Sequence, residues 1–75
     1  MDPRLVTALA ETFGADPASV SEATSPKTLA TWDSLGHLNL VAALEKAFAV
    51  SFTMEETLAM EDAGAIQRIL AAKRP

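Results

Sequence analysis

Apolar residues along this chain recur mostly at intervals of three and four, the spacing that lines one face of a helix. Leu5, Val6, Leu9 and Phe13 form the first such stripe. Asp2 is placed as its N-cap, Pro3 sits where a helix needs no N–H, and Gly14 supplies a left-handed stop. The pattern predicts a helix from Pro3 to Phe13. From Ala15 to Asp33 the periodicity lapses, and Asp16-Pro17, Ser25-Pro26 and scattered Ser and Thr predict a long connection. A helical turn is expected around Ala18 to Val20, with Val20 and Leu29 as anchors to the core. Loops this long in small domains are commonly functional.

The pattern resumes with Leu35, Leu38, Leu40, Val41, Leu44 and Phe48, predicting a second helix from Ser34 to about Ala49, capped by Asp33. Val50-Ser51-Phe52 reads as a turn. Thr53-Met54-Glu55-Glu56 is a capping box that opens a short third helix, ending near Ala59 or Met60. Asp62 is expected to cap a fourth, with Ala63, Ile66, Ile69 and Leu70 toward the core. Arg68, Lys73 and Arg74 stand near its C-terminus, where the helix dipole favours cations. The fold class is therefore all-α: four helices, the third short, with a long loop between the first and second.

On a wheel, Leu40, Val41, Leu44 and Phe48 share a sector about 100° wide, the width of a core-facing stripe. Leu35, Leu38 and Ala42 form a neighbouring sector. Either that second stripe packs on the third or fourth helix, or Leu35 stays partly exposed beside Ser34 and docks a partner.

The 75 residues are expected to make one domain, residues 1–75. There is no cysteine, which removes disulfides, thiolate metal sites and a thiol nucleophile together. The net charge of −4, ten acids against six bases, opposes nucleic-acid binding and docking on an anionic membrane. The start does not read as a signal peptide and no apolar run reaches bilayer length, so a cytoplasmic location is expected. One histidine and no tyrosine make a thin inventory for catalysis. His37 is expected as a partly buried side chain on the inner flank of the second helix, with no orienting partner evident for a catalytic role. Ser34 suits attachment better than catalysis. A phosphodiester there would meet unpaired backbone N–H groups at the positive end of the helix dipole.

The run Asp33-Ser34-Leu35-Gly36-His37-Leu38-Asn39-Leu40-Val41-Ala42-Ala43-Leu44-Glu45-Lys46-Ala47-Phe48 resembles the phosphopantetheine attachment region of the acyl carrier protein family. Gly14-Ala15-Asp16-Pro17, Thr24-Ser25, Leu29 and Thr53-Met54-Glu55-Glu56 follow that family's order, so the resemblance spans nearly the whole chain. It implies a four-helix bundle of acyl-carrier type that is not itself an enzyme. It also implies a 4'-phosphopantetheine arm moved from coenzyme A to Ser34 by a phosphopantetheinyl transferase, with cargo held as a thioester on the arm's thiol. An acyl- or aminoacyl-loading ligase or transferase and downstream biosynthetic enzymes would be the other partners. Carried over by position, Asp33 sits beside the attachment site. Leu35 and Leu38, with Glu45, Glu55 and Glu56, belong to a partner face on the second and third helices.

The departures bear on the pathway. Asn39 and Lys46 stand where carriers of primary fatty-acid synthesis usually have acids, leaving Glu45 alone. The acids instead gather at Glu55, Glu56, Glu61 and Asp62, with no base among them in sequence. Trp32 before Asp33, and a Thr24-to-Ser34 spacing one residue longer than usual, point the same way. They favour a dedicated bacterial biosynthetic carrier, for polyketide or modified-lipid assembly. Two alternatives stay open: an aminoacyl or peptidyl carrier loaded by an adenylating ligase, and an unmodified helical interaction module.

Overall fold

Asp2 does what its position predicts: its carboxylate accepts the Arg4 N–H at 2.8 Å and starts α1 (Pro3–Phe13). Gly14 ends it in the left-handed region, at φ 64°. The computed structural model describes residues 1–73, and three further helices follow: α2 (Ser34–Phe48), α3 (Met54–Leu58) and α4 (Ala63–Lys73). No strand occurs among the described residues. No helix there is long and apolar enough to cross a membrane. Arg74, expected at the end of α4, lies outside the described residues.

The expected boundaries hold with small shifts. The turn in the first connection is a single 3₁₀ turn at Pro17–Ser19, one residue early, capped by Asp16. α3 stops at Leu58 rather than running to Ala59 or Met60, because Met60 is drawn into the core. α2 ends on Ala49 at φ 53°, a left-handed position filled without glycine. The Glu45 carboxylate then accepts the Phe52 N–H at 2.9 Å and secures the following turn.

The long connection is tied down by its own polar groups. The Thr24 and Glu22 carbonyls accept the Ala63 and Gly64 N–H groups at 2.8 and 2.9 Å. Asp62 accepts the Ala65 N–H at 2.7 Å. The amino end of α4 is thus satisfied by the loop together with the expected cap. At the other end of the loop, the Thr31 hydroxyl donates to the Phe13 carbonyl at 3.0 Å, holding the chain against the end of α1.

One apolar cluster joins these pieces. Leu5, Leu9 and Phe13 of α1 meet Leu40 and Leu44 of α2, Ile66 and Leu70 of α4, Met60, and Trp32 from the loop. Leu5, Leu9, Leu40, Leu44 and Ile66 are fully buried. Val20, Leu29, Val41, Phe48 and Ile69 pack around it half-buried, so the expected core positions of all three long helices are filled. α3 contributes no buried residue and lies on the outside of the cluster.

Candidate functional site

The site begins with the cap of α2. Asp33 has extended backbone, and its carboxylate accepts the Gly36 N–H at 2.7 Å while its carbonyl accepts the His37 N–H at 2.8 Å. The cap is therefore supplied by Asp33 and makes no use of the Ser34 side chain. The Ser34 side chain is exposed, and its hydroxyl has no hydrogen bond among the described residues. The Ser34 and Leu35 N–H groups likewise find no acceptor among them, so two donors remain open at the positive end of a fifteen-residue helix.

Around Ser34 lies an open depression of about 540 Å³. Trp32, Asp33, His37 and Leu38 form one side, and Met54, Thr57 and Leu58 of α3 form the other. Its apolar lining is exposed, Leu38 62%, Met54 73% and Leu58 73%, and Leu35, next to Ser34 in sequence, is 68% exposed. The second stripe of α2 thus packs only loosely on its neighbour and leaves its leading residues to solvent. Met54 and Leu58 belong to the same surface. Their one-turn spacing is legible in the sequence, but their exposure follows from α3 lying outside the core. A second groove, about 610 Å³, lies elsewhere, between Ala8 and Glu11 of α1 and Ala43 and Ala47 of α2. At about 100° per residue those two alanines fall on the opposite side of α2 from Ser34, so that groove has no part in this site.

Behind the depression three side-chain and backbone groups are linked. The Trp32 Nε1–H donates to His37 Nδ1 at 2.9 Å, and His37 Nε2 lies 2.8 Å from the Thr57 carbonyl. Trp32 is 3% exposed and stacks on Phe13 with ring centroids 5.2 Å apart. His37 is half-buried, as its position on the inner flank predicts. Both of its ring nitrogens are engaged, leaving neither for Ser34. The sequence signal for this linkage was the indole itself, whose N–H requires a partner when buried.

The acids divide by what they already hold. Glu55 is exposed. Glu56 closes the capping box, accepting the Thr53 N–H at 2.8 Å while Thr53 Oγ accepts the Glu56 N–H at 3.1 Å. It also meets the Lys73 ammonium at 2.8 Å, so the acidic segment has a base in space although it has none in sequence. Lys73 and then the Thr53 N–H hold the Glu56 carboxyl below its ordinary value. Glu45, secured to Phe52, is likewise employed inside the chain.

No group of three or more metal-ligating side chains gathers among the described residues. Compared with models of known protein families and with characterised proteins, the chain matches none of them.

Proposed function

We propose that this chain is a carrier protein of acyl-carrier type, which holds acyl or aminoacyl groups as thioesters on a phosphopantetheine arm attached to Ser34. The observation that carries the reading is that the fold makes no use of the Ser34 hydroxyl. Asp33 caps the helix, and Ser34 is left exposed and unbonded within a sequence run that resembles a known attachment region.

The residues present fit such an arm. Two open backbone N–H groups and the positive end of α2 favour a phosphodiester at this position. The Asp33 carboxylate, the nearest negative charge in sequence, is turned to the Gly36 N–H. In the attachment step the Ser34 oxygen forms the new phosphodiester as the pyrophosphate of coenzyme A breaks. Adenosine bisphosphate leaves, and the hydroxyl proton passes to the transferase. The bound arm supplies the thiol that a cysteine-free chain lacks. The exposed Leu38, Met54 and Leu58, with Leu35 adjoining Ser34 in sequence, offer partner enzymes apolar surface next to the attachment point, and Glu55, adjoining Met54, adds an exposed charge.

The experiment is intact-protein mass after incubation with coenzyme A and a broad-specificity phosphopantetheinyl transferase, beside Ser34→Ala. A gain of one phosphopantetheine by the parent and none by the variant is expected. No gain, from folded protein shown to be unmodified at the start, would overturn the reading and leave a helical interaction module. Charging of the modified protein then separates the two cargo classes. ATP-dependent loading with amino acids but not fatty acids would make it an aminoacyl carrier.

A further inference from the structure

The linkage behind Ser34 constrains the protonation of His37 more tightly than burial alone would. An indole N–H can only donate. His37 Nδ1, 2.9 Å from Trp32 Nε1, must therefore be the acceptor and carry a lone pair. The ring proton is then on Nε2, where it is donated to the Thr57 carbonyl at 2.8 Å. The neutral Nε2–H tautomer satisfies both contacts at once, and no other protonation state does.

Adding a proton to Nδ1 sets two N–H groups against each other across that 2.9 Å contact. Trp32 cannot readily turn away, since it is 3% exposed and stacked on Phe13. The imidazole lies at 14° to the indole plane, so the conflict falls edge to edge rather than over a ring face that could accommodate a cation. We propose that His37 is a pH-sensitive clasp: neutral, it fastens the Trp32 end of the long loop to α2 and α3, and protonated, it lets go of Trp32. The Nε2–H can still reach Thr57, so the loop side is released first. Trp32 and His37 both line the depression beside Ser34, so the clasp sets how closed that depression is.

The surrounding charges define the competition. Asp33 is the other titratable group lining the depression, and its carboxylate is held by the Gly36 N–H. In the loop, Lys27 follows Pro26, which lines the depression. α3 contributes Glu55 and Glu56, the latter paired with Lys73 of α4. On α2 the nearest charged residue in sequence is Glu45, bonded to the Phe52 N–H, and on α1, which supplies Phe13, Glu11 lines the groove on the far side of α2. The indole N–H opposes a second ring proton at the point of contact. Protonation of His37 Nδ1 is therefore resolved by rearrangement.

The clasp belongs to the unmodified chain, so its test is independent of whether Ser34 accepts an arm. Nitrogen-15 NMR of the imidazole should show the Nε2–H tautomer when neutral. As the ring titrates, hydrogen-exchange protection of the Trp32 indole N–H, corrected for the intrinsic effect of pH, should fall about tenfold, the factor that one hydrogen bond is worth. His37→Gln offers an amide oxygen to the indole and an amide N–H to Thr57 without titrating, and should make the protection independent of pH. A neutral Nδ1–H tautomer, protection unchanged through the titration, or the same pH dependence in His37→Gln would overturn the proposal. Should His37→Gln not fold, Trp32→Phe removes the donor instead. The loop amides should then stop moving with the imidazole titration, and their continued movement would equally overturn it.

Discussion

Gly36 lies so close beneath Thr31 that a β-carbon on it would stand 2.5 Å from the Thr31 carbonyl oxygen and 2.9 Å from the Phe13 ring. The loop crosses the first turn of α2 at this point, immediately before it delivers Trp32 and Asp33. A methyl group here meets backbone, which cannot step aside as a flexible side chain does. Gly36→Ala should destabilise the fold by about 1–3 kcal/mol, the usual cost of overpacking. The check is urea denaturation followed by the fluorescence of Trp32, the chain's single tryptophan. An unchanged midpoint would mean that the loop does not pass as close as described.

Ala49 makes the opposite case. It ends α2 at φ 53°, and its N–H donates to the Glu45 carbonyl. A left-handed alanine carries a steric cost of about 1–2 kcal/mol, whereas a glycine adds about 0.5–1 kcal/mol of chain entropy to be lost on folding. Ala49→Gly should therefore stabilise the protein by about 0.5–1 kcal/mol. In a domain of this size that raises Tm by a few degrees, at about 4–8 °C per kcal/mol. A fall in Tm on thermal melting would contradict the left-handed assignment.

The Thr53–Glu56–Lys73 network ties stability to pH. Lys73 first, and the Thr53 N–H second, hold the Glu56 carboxyl below its ordinary value of 4.5, so the folded chain binds that proton less readily than the unfolded chain. The contribution is complete above the ordinary carboxylate value and is lost as pH falls through the lowered one. Denaturation midpoints measured across acid pH should decline less steeply in Glu56→Gln than in the parent. Thr53→Ala, which removes the cap itself, should cost about 0.5–2 kcal/mol at neutral pH. Parallel acid limbs for parent and Glu56→Gln would remove Glu56 from the pH response.

The apolar rim separates function from folding. Leu35, Leu38, Met54 and Leu58 are each more than three-fifths exposed, so replacing any one by Ser should change stability by no more than about 0.5 kcal/mol. Under the carrier reading the same substitutions should slow modification of Ser34 by the transferase, Leu35→Ser most of all because it adjoins the serine. Rates equal to the parent for all four variants would place partner docking somewhere else.

What the sequence made legible was local. Asp2, Pro3 and Gly14 mark α1, and Thr53 with Glu56 marks the start of α3, because each signal completes itself within a few residues. The stop of α2 was not marked so clearly, since Ala49 takes a glycine's conformation and only the following turn explains why. Longer-range pairings left weaker traces. Glu56 and Lys73 are remote in the chain, so the acidic segment reads as unaccompanied until α4 folds back on it. The close passage at Gly36 depends on the path of an aperiodic loop. The Trp32–His37 bond spans only five residues, yet it requires the loop to bury the indole before the ring nitrogen becomes its nearest acceptor.

The acids of the expected partner face offer a sharper division. Glu45 and Glu56 already hold the Phe52 N–H and the Lys73 ammonium, whereas Glu55 on the same surface is exposed. A free surface charge acts on a partner at a distance, through the encounter rate, and its influence fades as salt shortens the screening length. Glu55→Gln should therefore leave the urea midpoint where it is and slow Ser34 modification at low salt, with the difference shrinking as salt is added. Glu45→Ala should instead lower stability by about 0.5–1.5 kcal/mol through loss of its hydrogen bond to the turn, whichever partner is present. Paired denaturation and modification rates for the two variants, at low and high salt, make the comparison. If Glu45→Ala slows modification with its midpoint unchanged while Glu55→Gln does not, partners are reading the carboxylate that the fold also uses. The free acid would then be only a solvated edge.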